Sequence, residues 1–176
     1  MKIETFLAIT GLMLSICAHA GDAPASSGLH VDTDNVVKEG AVVPVDGITS
    51  SGQPDQAALE VFSESGYAAI IDLRGENENR GIDEKEAVES LGMDYVLFPI
   101  GSREAINFDN AAELDKLIES YDAPVLIHCG SGNRVGAMLA LRQSLKGADD
   151  EAAVKYGKQG GLTGLEDVVK ERLGEN

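Results

Sequence analysis

Three apolar runs constrain this chain more than any other feature: YAAIIDL from Tyr67, DYVLFPI from Asp94 and APVLIH from Ala123. Between and after them the apolar residues recur at helical spacing, as in IDEKEAVESLG and in DNAAELDKLIES, where Leu114, Leu117 and Ile118 share a face. Short uninterrupted apolar strands alternating with helices imply a parallel sheet, because parallel neighbours need a crossover that a helix supplies. The fold class expected is therefore α/β, in three layers, with a mostly parallel central sheet and helices on both faces. Upstream, NVVKEGAVVPVDGITSSGQPD reads as short strands with turns at Gly40 and Gly47, and Asp55 caps a helix that Gly66 ends. Downstream, VGAMLALRQSLKG reads as a helix ending near Gly147, DDEAAVKYG as a short one capped by Asp149 or Asp150. Thr163 and Glu166 have the spacing of a capping box opening a last helix. No repeat or second domain is visible.

The first twenty residues read differently. Lys2 precedes a mostly apolar run from Phe6 to Ala18, and Ala18-His19-Ala20 has the small-x-small pattern of a cleavage site. The expectation is a signal peptide over 1–20, cleaved after Ala20, then a disordered lead-in over 21–30 and one domain over 31–176. The mature chain would be periplasmic or secreted, with no membrane association after cleavage. The net charge of −16 argues against nucleic acid, whose phosphates this chain could not neutralise in number. A small anion can still bind where local positive charge overcomes the general repulsion.

Without the leader, Cys129 is the one cysteine left, and an unpaired cysteine in an exported chain is a candidate reactive thiol. Its surroundings, LIHCGSGNRVG, strengthen that reading. A strand ends in His128-Cys129, and a helix opens near Arg134. Ligands in such sheets bind at the carboxyl ends of strands. Gly130, Ser131, Gly132 and Asn133 can turn their backbone N–H groups inward on one anion, with the two glycines permitting the tight turn. The helix start and the Arg134 guanidinium add positive charge. Together these make Cys129 a thiolate nucleophile and Arg134 its anion-binding partner. His128 reads as a residue that shapes the loop. With His19 in the leader and His30 in the lead-in, no histidine cluster remains for a metal, and no cofactor is expected.

The loop resembles that of the cysteine-dependent phosphatases, whose signature is His-Cys, five residues and Arg. GITSSGQPD, a helix and YAAIIDLRGENE are similar to the opening of a bacterial phosphatase-like family related to the dual-specificity phosphatases, which also occurs in beta-lactamase-hydrolase-like proteins. The resemblance runs from about Val36 to Leu145 and implies a protein-tyrosine-phosphatase-like fold. It implies attack by Cys129 on phosphorus, a phosphocysteine intermediate, and a nearby carboxylic acid that protonates the leaving group. The chain departs from that pattern at three points. Four residues rather than five separate Cys129 from Arg134, which resembles the six-residue loop of rhodanese-type sulfurtransferases. Val135 stands where the phosphatases place a hydroxyl. The acid loop reads GSREAINFD, in which Glu104 and Asp109 are the candidate acids.

Three functions follow as expectations: a phosphatase-like hydrolase; a sulfurtransferase carrying a persulfide on Cys129, which needs no such acid; and a non-catalytic anion-binding module. The partner in each is a small anion, a phosphate ester or a sulfane-sulfur donor, and a phosphoprotein is compatible with the first. In DLRGENENR, Arg74 reads as part of a structural ion pair with nearby acids, and Asp83–Glu86 as a solvated helix start.

Overall fold

The computed structural model describes residues 25–175; the expected signal peptide, 1–20, lies outside them. Seven strands and seven helices follow in the order β1 Ser26–Ser27, β2 His30–Val31, α1 Thr33–Glu39, β3 Val42–Val43, β4 Ile48–Ser51, α2 Gln56–Glu64, β5 Ala69–Asp72, α3 Glu84–Ser90, β6 Asp94–Leu97, α4 Phe108–Glu119, β7 Val125–His128, α5 Asn133–Leu145, α6 Asp150–Gln159 and α7 Glu166–Gly174. Five strands form one sheet in the order β2-β4-β7-β5-β6, and every pairing in it is parallel. The β1 and β3 strands pair separately.

Alternate residues of the central strands face two apolar cores. Ile71, Ile127 and Ile48 point to the core shared with α4, α5, α6 and α7. Ile70 and Leu126 point to the opposite core, with Leu59, Phe62 and Val88 from α2 and α3. Burial on both faces is why these strands read as unbroken apolar runs. Capping residues set the helix starts: Asp32, Asp55, Asp83, Asn107 and Asp149 each accept a backbone N–H from the first turn.

The structure differs from the sequence reading in three places. Val36 and Val37 lie in α1, not in a strand; Asp32 caps this helix and Gly40, at φ 68°, ends it. The lead-in is ordered from Ser26, because β1 pairs with β3 and β2 with β4. The Thr163 capping box does not form. Asn133 Oδ1 accepts the Thr163 N–H at 2.8 Å, and Leu165 stands at the cap of α7 without a side-chain bond.

The site follows from the sheet order. β5 continues into α3 on one face, while β7 continues into α5 on the other. Their loops part at the carboxyl edge, and such a parting opens the crevice where ligands bind in parallel sheets. No described helix is long and apolar enough to cross a membrane.

Candidate active site

β7 ends at His128, so Cys129 is the first residue past the sheet edge. Its side chain turns toward the core of α4 and α5, is 1% exposed, and forms no disulfide. Gly132, at φ 82°, makes the left-handed turn into α5. A Cβ there would run into the His30 ring, which packs on the turn from β2. The ring is held in turn by Ser50: its Nδ1 lies 3.2 Å from Ser50 Oγ, whose own proton goes to Gly160 O at 2.7 Å. Burial lowers the His30 pKa from its ordinary value, which favours the uncharged ring in this contact. On the other side Gly52 bridges Ser131, so SSGQP, the second stretch of the resemblance, buttresses the cradle directly.

The Arg134 guanidinium is gripped by Glu78. Nη1 donates to Oε1 at 2.5 Å and Nη2 to Oε2 at 2.8 Å, a bidentate pair, and Nη1 also lies 3.4 Å from Ile100 O. Glu78 also accepts the Gly75 N–H at 2.7 Å. Its bond to Arg134 holds the Glu78 carboxyl down at about 2. The same bond, followed by the charge of Cys129, raises Arg134 above its usual range. Glu78 shares GENENR with Glu76, and only the loop's path after β5 picks it out.

Behind Cys129 lies a buried ionic cluster. Asp72 and His128 are register partners on adjacent strands and face the same side. Arg74 donates to Asp72 through Nε at 2.8 Å and Nη2 at 2.9 Å, and through Nη2 to Glu84. His128 Nε2 lies 2.6 Å from Glu84 Oε1. All four side chains are at most 1% exposed. Tyr95 Oη at 2.8 Å and Arg80 Nε at 3.1 Å complete the shell around Asp72. Burial alone would raise the Asp72 carboxyl, but the Arg74 bonds and the nearby His128 hold it well below the usual carboxylate range. Arg74 is structural, as its sequence context suggests. Glu84 is not part of a solvated helix start: it turns inward to meet Arg74 and His128, an inversion that only the second core could reveal. Donor atoms of Asp72, Glu84 and His128 lie within 4.8 Å of one another. The Arg74 guanidinium already bridges the two carboxylates and Arg80 adds a second positive charge on Asp72, so the group reads as an ion-pair network and not a metal centre.

The cradle opens onto a pocket of about 270 Å³. Ser131, Asn133 and Arg134 line it from the loop, Ile100, Ile106 and Leu165 give it an apolar part, and Gly101, Ser102 and Arg103 close it from the loop after β6. Neither candidate acid reaches it. Glu104 points to solvent, and its own backbone N–H and the Ser102 hydroxyl lower its pKa, which is the wrong direction for a proton donor. Asp109 lies exposed in the first turn of α4. Among the described residues, no carboxylate lines the pocket. GSREAINFD offers Glu104 and Asp109 as acids; the loop's path instead places Ser102 and Arg103 on the pocket wall.

Comparison with known proteins agrees with this geometry. Over 120 residues the chain is 30% identical to a beta-lactamase hydrolase-like protein of Agrobacterium fabrum, covering 65% of this chain and 28% of that one. Over 101 residues it is 34% identical to a protein of the same name from Xylella fastidiosa, covering 55% and 23%. The chain thus spans roughly a quarter of the length of these curated relatives. Among solved structures, a candidate phosphatase from Neisseria meningitidis superposes with a TM-score of 0.63 at 22% identity, covering 73% of this chain and 93% of the other. Tk-PTP in its active form superposes with a TM-score of 0.55 at 18% identity, covering 73% and 92%. These likenesses establish the protein-tyrosine-phosphatase fold. With the cysteine, the cradle and the arginine at the edge of that sheet, and with residues 44–166 matching the family model described as "DSP-PTPase phosphatase fused to NAD+ Kinase", the chain belongs to this family of dual-specificity-type phosphatase domains.

Proposed function

We propose that the chain is an exported, cysteine-dependent phosphatase that works through a phosphocysteine on Cys129. The observation that carries this reading is the position of Cys129 at the end of the central strand, beneath a helix N-terminus and beside Arg134, in a chain of this family. The Cys129 thiolate attacks phosphorus, and the bond to the leaving oxygen breaks with its electron pair on that oxygen. The N–H groups of Gly130 to Asn133 and the Arg134 guanidinium hold the equatorial oxygens as charge develops. Water then attacks phosphorus, the S–P electron pair returns to sulfur, and phosphate departs. Glu78 positions Arg134. Export rests on the leader-like residues 1–20.

A second reading, sulfur transfer through a Cys129 persulfide, draws support from two observations. The loop has the shorter spacing, and no carboxylate among the described residues lines the pocket. One experiment separates the two. Rapid-quench intact mass of the mature protein is measured after mixing with an aryl phosphate or with thiosulfate, with Cys129→Ser as control. The expected result is a phosphoryl adduct that the serine variant lacks. A single added sulfur and no phosphoryl adduct would transfer the assignment to sulfur transfer. No covalent adduct from either donor would leave an anion-binding module.

A further inference from the structure

We propose that the substrate is a small phosphate ester or anhydride of an acid that is stable as its own anion, and that it carries a second anionic group held by Arg103. This rests on the phosphatase reading and names its substrate class. Two features of the pocket point there. The first is what faces the leaving group. In the loop after β6, Ser102 and Arg103 line the pocket, while the acids nearby are engaged elsewhere. Glu78 is bound by Arg134, while Asp167 and Glu104 are exposed and lie outside the lining of the pocket. Among the described residues, no carboxylic acid in this wall delivers a proton to a departing oxygen. An alkoxide leaving group would forfeit the factor of about 10²–10⁴ that general acid catalysis supplies. An acyl, enol or activated aryl phosphate, or a phosphoanhydride, forfeits little: the P–O bond breaks, the oxygen keeps the pair, and no proton moves in that step.

The second feature is charge. In a chain of net charge −16, this pocket is lined by two guanidiniums, Arg134 from the cradle and Arg103 from the loop after β6. Arg134 serves the phosphoryl group. Among the described residues Arg103 is paired only with Asp167, at 2.5 Å, and both side chains are more than half exposed. Water screens such a pair strongly, so a substrate anion in the pocket displaces Asp167 readily. The volume of about 270 Å³ suits a small molecule and lies below the usual range for larger ligands. Ile100, Ile106 and Leu165 then meet the short apolar body between the two charges.

The test compares kcat/KM, which reports the phosphorylation step, for phenyl phosphate, 4-nitrophenyl phosphate and a ring-carboxylated 4-nitrophenyl phosphate. The native protein and Arg103→Gln are used, with rapid-quench detection of phosphocysteine on each ester. The expected result is a preference of about 10²-fold or more for the nitrophenyl over the phenyl ester. The native protein should also prefer the carboxylated ester over the plain one by about tenfold, a ratio that Arg103→Gln brings toward one. Because Arg103 is exposed, the variant folds. Equal kcat/KM for the phenyl and nitrophenyl esters would overturn the leaving-group argument, since a proton donor would then be at work. A carboxylate preference that is absent, or that survives in Arg103→Gln, would overturn the role of Arg103. In both cases phosphocysteine still forms and the phosphatase reading stands. Absence of phosphocysteine with every ester overturns that reading itself, and this inference with it.

Discussion

At the scale of single residues, the site is arranged around two arginine–carboxylate contacts of different character. Arg74 is fully buried and bound to Asp72 and Glu84, so it cannot be removed without leaving buried carboxylate charge uncompensated. Arg134 is held by Glu78 at the pocket edge, where water competes. This second pair carries a pH signature. The Glu78 carboxyl is ordinarily near 4.5 and lies at about 2 in the folded chain. A depressed folded pKa gives stability that is fully present above the ordinary value and is lost as pH falls through the folded one. Native protein and Glu78→Gln, compared by urea unfolding from pH 6 to about pH 2, should therefore differ by a constant amount above about pH 5 and converge toward pH 2. A difference independent of pH across that range would show that the Glu78 charge does not act through Arg134.

Elements meet most closely where α5 crosses α6. A Cβ on Gly136 would fall 2.6 Å from Gly157 O and nearer still to the Leu162 backbone. Both neighbours are main chain and cannot swing aside. Gly136 lies one turn into α5, four residues past Gly132, so displacing this helix moves the cradle it begins. The substitution Gly136→Ala should destabilise the fold by about 1–3 kcal/mol despite the better helix propensity of alanine. Gly174→Ala, in α7 with open space around it, should be neutral or stabilise by up to about 1 kcal/mol. Thermal or urea unfolding of the two variants checks this. A neutral Gly136→Ala would mean that α5 and the 157–162 segment are packed more loosely than their backbones suggest.

For the whole molecule the governing quantity is the net charge of −16, against which two arginines form a local positive site. An anionic substrate is repelled at long range and attracted only at contact. Salt screens the long-range part first, because the Debye length falls from about 30 Å at 0.01 M to about 8 Å at 0.15 M. The kcat/KM for an aryl phosphate should therefore rise over that interval of ionic strength, as measured in sodium chloride at constant pH. A fall would mean that the arginines' field dominates already at a distance. The layered parallel sheet that creates this site was legible in the sequence, because strands buried on both faces must be apolar throughout and helices between them must be amphipathic. Cys129, the glycines and Arg134 were legible for the same local reason: they are contiguous, and a strand-to-helix turn has few conformations. What lay beyond the sequence was long-range. Glu78 and Glu76 are chemically alike, and only the loop path chooses between them. Glu84 reads as solvated until α3 is laid on the second core. His30 reads as lead-in until β2 pairs with β4 and sets its ring on Gly132. GSREAINFD offers acids by composition, whereas its folded path presents Ser102 and Arg103. Periodicity and local turn chemistry are written along the chain; which of several similar side chains faces a site depends on contacts between segments far apart, and those exist only once the chain has packed.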